Sequence, residues 1–360
     1  MAARSSWLTR RFDRHIFSSC PKRGDAVAIV VTETERYGTT VTEALTSEGI
    51  VNERSAAGTT EETIRSKQLC RDLWRPTICR MREAALRVSD VEAYGLTIEE
   101  RKRFDEDGFF IVPAALDADT VETLRDLADG NLARLRSSGA NDHAYLNLHD
   151  MVGRHRVYLD LMTWPTTIHK VWQVLGWNIQ LFHTQLIVTP TSDPALPAGP
   201  DGWHQDNHRM NLELEVELMP RISMKVGYFL AGIPEPGMGN LCVIPGSHLT
   251  RSPEESAGVQ ITANAGDAVV FDRRLWHSGS TNQSPVTRRA LFYGYSYRWL
   301  RPKCAMKIAT LPEFETLDPI RRQLLGACSS ANGYYTPDDT TDAPLRAWIA
   351  DNLGVDAVAP

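Results

Sequence analysis

Between residues 178 and 297 the chain runs through short segments rich in β-branched and aromatic residues: Ile179 to Val188, Met224 to Leu230, Leu241 to Ile244, Ala268 to Phe271 and Leu291 to Tyr297. Turn sequences such as Pro234-Glu235-Pro236-Gly237 and Ala265-Gly266-Asp267 separate them. Parallel strands need a crossover connection, usually a helix, and no helical pattern fits between these segments. The chain is thereby steered away from a parallel βαβ sheet. The expected fold is mainly β with flanking helices, a double-stranded β-helix of the jelly-roll, cupin-like kind.

Helices are expected ahead of these strands. Thr97-Ile98-Glu99-Glu100 has the form of a capping box, in which the threonine oxygen and the glutamate each satisfy a free N–H at a helix start. That helix is expected over Glu99 to Glu106, stopping at Gly108, with a short strand at Phe109-Phe110-Ile111-Val112 ended by Pro113. Asp117 is placed to cap a second helix carrying Val121, Leu124 and Ala128 on one face. Residues 1–94 lack sustained periodicity, apart from a plausible helix from about Thr60 to Leu86, and are expected as an N-terminal extension. Residues 95–310 are expected to form the jelly-roll domain, followed by a C-terminal helical tail over 311–360.

Bulk properties narrow the partners. With 42% hydrophobic and 23% charged residues, the 360-residue chain has material for a sizeable core. A net charge of -6, without a basic stripe interleaved with aromatics, argues against nucleic acid. The longest apolar runs, such as Ala268-Val269-Val270-Phe271, are far short of a membrane span. The six cysteines form no CxxC pair and are scattered, so reduced thiols in a cytoplasmic protein are expected. Met1 to Arg23 sets Arg4, Arg10, Arg11, Arg14, Lys22 and Arg23 against Asp13 alone, which leaves organelle targeting open beside an upstream extension with no fold of its own.

The segment Trp203-His204-Gln205-Asp206 carries the chemistry. On a strand, residues two apart share a face, so His204 and Asp206 can reach one point while Gln205 turns away. His277, after the apolar strand Ala268 to Phe271, is the candidate third ligand. Two histidines and one carboxylate on one face of an octahedron leave three positions open, as in non-haem Fe(II) oxygenases. Two of these suit a bidentate 2-oxo acid and one suits O2, whereas a closed zinc site needs four protein ligands. The oxo acid's far carboxylate calls for arginine, whose planar fork bonds it twice. Arg288 and Arg289 open the last strand, and strand alternation lets only one of them point inward.

These residues resemble the phytanoyl-CoA dioxygenase family of Fe(II)/2-oxoglutarate oxygenases. The likeness spans roughly Leu96 to Trp299, through Glu106-Asp107-Gly108-Phe109, the His204-Gln205-Asp206 motif, Gly239 to His248, Gly266 to Phe271, and His277 to Ser284 followed by Arg288. It implies a jelly-roll core, Fe(II), 2-oxoglutarate and O2, with release of succinate and CO2. The family's oxo-acid arginine follows the distal histidine by eleven residues, which selects Arg288 and leaves Arg289 as the alternative. The resemblance also places Gln185 near the oxo acid. Some related lineages bind halide where a small residue replaces the metal aspartate; the intact Asp206 implies hydroxylation or a related oxidation instead.

The expected function is hydroxylation of a C–H bond in a small or medium-sized organic substrate. Rival readings are desaturation, epoxidation or demethylation at the same centre, or a jelly-roll protein that binds a metal or ligand without turnover. Met151 to Trp164 and Thr189 to Gly202 are expected at the substrate entrance. His183, in register with Gln185, is expected as a core histidine and His248 as a scaffold residue. Trp203, Trp276 and Trp299 are expected mainly in packing roles, and His208 and Arg209 in either a substrate-facing or a turn role. The alternating Leu/Glu run from Leu212 to Leu218 is expected as a solvated strand or loop face.

Overall fold

The computed structural model describes residues 29–34, 40–46, 49–50, 86–206, 208–216, 218, 220–303, 314–327 and 343–358. Contacts divide the chain into one unit over Met1–Leu73 and another over Trp74–Pro360. In the first, β1 (Ile29–Thr34), β2 (Thr40–Thr46) and β3 (Gly49–Ile50) form an antiparallel sheet. The basic segment Met1 to Arg23 and the helix expected from about Thr60 lie outside the described residues.

The second unit opens with α1 (Val88–Tyr94), α2 (Ile98–Glu106), β4 (Phe109–Val112) and α3 (Ala118–Ser137). Thr97 and Glu100 make both halves of the capping box of α2. Asp117 caps α3 by accepting from the Thr120 N–H, and Val121, Leu124, Ala128 and Leu132 form its buried stripe. Next come β5 (Leu146–His149), α4 (Arg156–Asp160) and α5 (Pro165–Leu175). The strand-rich region holds β6 (Ile179–Thr189), β7 (Pro200–His204), α6 (His208–Leu214), β8 (Ser223–Phe229), β9 (Leu241–Val243), β10 (Val259–Gln260), β11 (Ala268–Asp272), β12 (His277–Ser280) and β13 (Arg288–Tyr297). Helices α7 (Pro319–Leu324) and α8 (Pro344–Leu353) follow.

Six strands pair in the order β4-β11-β8-β13-β6-β5 and four in the order β10-β9-β12-β7, all antiparallel. This is the expected double-sheet architecture. Strand alternation gives the larger sheet two apolar faces. One joins Phe229, Val269, Phe271, Ala290 and Phe292 to Leu241, Val243 and Ile261 of the smaller sheet's side. The other carries Leu186, Val188, Met224, Tyr228, Tyr293 and Tyr295 and is covered by helices. Leu317, Ile320, Leu324, Leu345 and Ile349 join this second core, so the C-terminal helices belong to the body of the fold.

Strand β6 changes phase partway along. His183 opposes Gly294, but Leu181 opposes Tyr295, so Phe182 is an extra residue in the ladder. Such a bulge re-aims side chains. Ile179 and Leu181 therefore share the helix-covered core with Leu186 and Val188, which strict alternation forbids.

One expectation fails here and one holds only in part. Met151, Val152, Tyr158, Leu159, Leu161 and Met162 are buried against the helix-covered face, where Tyr293 and Tyr295 hydroxyls donate to the Tyr158 and Met162 carbonyls at 2.6 and 2.9 Å. This apolar segment is core, not an entrance. The Leu/Glu run, expected as a solvated strand or loop face, is solvated at Glu213, Leu214 and Glu215 but begins inside α6, where Arg209 and Glu213, one helical turn apart, pair at 2.6 Å. No described helix is long and apolar enough to cross a membrane.

Candidate metal centre

Antiparallel pairing of β7 with β12 sets His204 directly opposite His277, with ring centroids 4.4 Å apart. Strand β7 ends at His204, so Asp206 lies in the turn beyond it. The expectation that one strand carries both residues is corrected accordingly. Asp206 is brought to the histidines by the turn between β11 and β12. Its N–H donates to the Arg273 carbonyl at 3.2 Å, and the Gln205 side chain donates to the Arg274 carbonyl. Asp272 shapes that turn by accepting from the Arg274 N–H at 2.9 Å, from its guanidinium and from Arg221.

The result is a cluster in which one ligand atom from each of His204, Asp206 and His277 lies within 4.8 Å of the others. His204 Nδ1 lies 3.0 Å from the Gly202 carbonyl and His277 Nδ1 lies 2.9 Å from that of Leu275. A carbonyl can only accept, so each Nδ1 carries a proton and each Nε2 is the nitrogen left to face a ligand. Burial drives His277 down to about 3, against the pull of Asp206 and with help from Lys225, so it is neutral at physiological pH. For Asp206, burial opposes ionisation, but Lys225, His277 and Arg273 outweigh it and hold the carboxyl well below its usual range. Two imidazoles and one carboxylate are a fitting donor set for a divalent metal with open positions.

Two cations back the carboxylate. Lys225 Nζ lies 2.6 Å and Arg273 Nε 3.2 Å from Asp206 Oδ2. Burial lowers Lys225 to about 8, with Asp206 resisting. Sequence reasoning missed both residues. Lys225 sits in a strand that reads as apolar, and its signal was the lone ammonium at an inward position of a fully buried segment.

Arg288 and Arg289 part company as alternation requires. Arg289 faces α3 and donates to Asp129 at 2.7 Å. Arg288 is only 4% exposed, its Nε has no hydrogen-bond partner, and its guanidinium carbon lies 5.7 Å from the Phe292 ring centre. Burial lowers it to about 10. A buried guanidinium without an anion is costly, and the far carboxylate of an oxo acid relieves that cost through two parallel bonds. Gln185 opposes Phe292 in the ladder, on the same face, and donates to Asn147 Oδ1 at 2.9 Å.

Of the other residues singled out, His248 Nε2 pairs with the Asp105 carbonyl at 3.1 Å and belongs to the scaffold. Trp299 is half-exposed and stacks on Tyr297, and Arg209 is solvent-exposed beside Glu213. His183 is fully buried with neither ring nitrogen hydrogen-bonded.

Residues 104–290 match the phytanoyl-CoA dioxygenase (PhyH) family. Similar solved structures include HygX of Streptomyces hygroscopicus with nickel and 2-oxoglutarate bound, 18% identical over 58% of this chain and 90% of that one, TM-score 0.45. The epimerase SnoN, in complex with Fe3+, alpha ketoglutarate and nogalamycin RO, is 19% identical over 59% of this chain and 88% of its own, TM-score 0.45. AviO1 of Streptomyces viridochromogenes is 21% identical over 57% and 96%, TM-score 0.44. The family match spans slightly more than half of the 360 residues and takes in every strand from β6 to β12, together with His204, Asp206 and His277; the chain belongs to the phytanoyl-CoA dioxygenase family of 2-oxoglutarate-dependent oxygenases.

Proposed function

We propose that this protein is an Fe(II)- and 2-oxoglutarate-dependent dioxygenase that hydroxylates a C–H bond of a small or medium-sized organic substrate, releasing succinate and CO2. Its catalytic jelly roll is residues 95–310, with α7 and α8 packed into the same core. His204, Asp206 and His277 hold the iron, Arg288 anchors the far carboxylate of the oxo acid, and Gln185 lies beside it. The observation that carries this reading is the convergence of two imidazoles and one carboxylate to within 4.8 Å.

Iron bound with the oxo acid and O2 supplies the C–H oxidation itself. The chain's task is to bind, orient and exclude water. Carbonyls of Gly202 and Leu275 fix the two imidazole rings, so that both Nε2 atoms face one point. Lys225 and Arg273 fix the carboxylate of Asp206. Arg288 Cζ and Lys225 Nζ, the latter paired with Asp206, lie 5.7 and 5.9 Å from the Phe292 ring centre. Phe271 and Phe292 wall the space with apolar rings and keep it dry.

Anaerobic titration of the purified protein with Fe(II) and 2-oxoglutarate tests the reading. A visible metal-to-ligand charge-transfer band is expected in wild type and absent in His204→Ala and Asp206→Ala. Iron binding without that band would remove the oxo acid from the proposal. Product mass then reads the outcome, since hydroxylation adds an oxygen atom and desaturation removes two hydrogens.

A further inference from the structure

The inner face of the six-stranded sheet opens to solvent at one edge. Along one of its rows, Phe292 of β13 is buried, while Gln185 of β6 and His149 of β5 are half-buried. Along the next row, Ala290 is buried, Ile187 is half-buried and Asn147 is exposed. The smaller sheet opens along its end strand β7, where His204 is exposed although the opposing His277 is buried. Residues 190–199 carry β6 into β7, and Asn282, just past β12, donates to the Thr189 carbonyl at the end of β6 at 3.0 Å. The open edges of the two sheets therefore lie on one side of the sandwich, with Asn147, Gln185 and His149 along the larger sheet's rim.

That rim offers hydrogen bonds. Gln185 Nε2 donates to Asn147 Oδ1 at 2.9 Å, which leaves Asn147 its two N–H donors and Gln185 its Oε1 acceptor. His149 adds an imidazole. The adjacent charges of Asp150 and Arg154 are opposite in sign, and Arg154 donates to the Asp150 and His149 carbonyls at 3.2 and 3.3 Å. Deeper in, the rings of Phe292 and Phe271 make the walls apolar. Ligand sites of this kind hold by apolar walls and orient by a few polar groups. We propose that the primary substrate enters over the β5–β6 edge, and that Asn147 and His149 bind its remote end through neutral hydroxyl or amide groups. This rests on the oxygenase reading above and names the substrate class for it. A side-chain amide sets a donor beside an acceptor, which suits neighbouring hydroxyls or a carboxamide. An alkyl chain laid there would strip water from these groups and return no hydrogen bond. Gln185, beside the oxo acid, joins the two seats.

The test uses the full chain loaded anaerobically with Fe(II) and 2-oxoglutarate, with perturbation of the charge-transfer band as the readout. Methyl glucoside and myo-inositol supply the hydroxyl arm, N-acetylglycinamide and glycine diketopiperazine the amide arm, and cyclohexanol the mostly apolar control. In wild type at least one polar probe is expected to act at a concentration roughly tenfold below that of cyclohexanol, the value of one or two net hydrogen bonds. The arm it belongs to identifies the group. Asn147→Ala and His149→Ala are each expected to raise that concentration about three- to tenfold, while the 2-oxoglutarate dissociation constant stays within about threefold. Asn147→Ser, which keeps a donor and an acceptor, is expected to lose less. The proposal is overturned if no polar probe outperforms cyclohexanol, or if both alanine variants keep the wild-type preference. It is also overturned if Asn147→Ala weakens 2-oxoglutarate as much as Arg288→Met does, which would assign the Asn147–Gln185 pair to the oxo acid. Absence of any band in wild type is a separate result, and it removes the oxygenase reading itself.

Discussion

Arg289 donates to Asp129 across the helix-covered face of the larger sheet at 2.7 Å, while its chain neighbour Arg288 is buried on the opposite face with no ion pair among the described residues. One step along the strand separates an arginine already paired at the surface from one held open for a ligand.

Substitution distinguishes the two. Arg289→Ala breaks a partly exposed ion pair worth about 0–1 kcal/mol and is expected to leave 2-oxoglutarate affinity unchanged. Arg288→Met is expected to raise the 2-oxoglutarate dissociation constant roughly 100-fold or more, since it leaves a buried carboxylate unpaired. Without 2-oxoglutarate, the same change removes an uncompensated buried charge and raises thermal stability. Calorimetry of both variants, with and without 2-oxoglutarate, checks the pattern.

Asp206 is a structural anion as well as a metal ligand. In the presence of a chelator, Asp206→Asn leaves Lys225 and Arg273 buried without their counter-charge and is expected to cost about 3–5 kcal/mol. Urea unfolding in EDTA measures it. A stability equal to wild type would mean that the two cations find other partners.

Acid weakens the metal-free fold through buried neutral histidines. Burial lowers His169 to about 4 and His277 to about 3, while both return to about 6.5 on unfolding. Between those values the unfolded chain binds more protons, so stability is full above about pH 6.5 and falls as pH drops toward the folded values. At pH 5 each residue is expected to cost about 2 kcal/mol relative to pH 7.5. His169→Leu, remote from the metal ligands beside Trp172 and Trp348, removes its share of the slope.

Gly294 is fixed by space. Its Cβ would meet His183 at 2.3 Å, so Gly294→Ala is expected to cost about 1–3 kcal/mol by overpacking. His183→Ala in the same chain is expected to recover most of that loss. A double-mutant cycle by thermal unfolding reads the coupling, and additive losses would place the ring elsewhere.

How far the sequence reaches is clear from particular residues. Thr97-Ile98-Glu99-Glu100 and Asp117 announce two helix starts because capping is local chemistry, decided within four residues. The antiparallel sheets are legible because short strands recur with no long helix between them; the seven-residue α6 between β7 and β8 went unread. The pairing of His204 with His277 is legible only as ligand chemistry, since nothing local links them. The place of Asp206 was read from strand alternation, yet the strand stops before it and a hydrogen bond to the Arg273 carbonyl positions it instead. Lys225 was hidden by its apolar neighbours, because a single inward charge does not disturb the hydrophobic pattern of a strand.

Phe182 was not legible at all, because a bulge exists only relative to a partner strand. Its consequence is one of phase. Strand β6 works as two half-strands joined out of step: odd positions from His183 onward face the space between the sheets, and even ones do so at Gln180. Were Phe182 drawn into the ladder instead of bulged out of it, the first half would shift by one place, sending Ile179 and Leu181 into the polar end of the interior and Gln180 into the oily layer beneath the helices. The inserted phenylalanine thus acts as the frame mark that lets a single strand serve a greasy seat and a charged chamber at once.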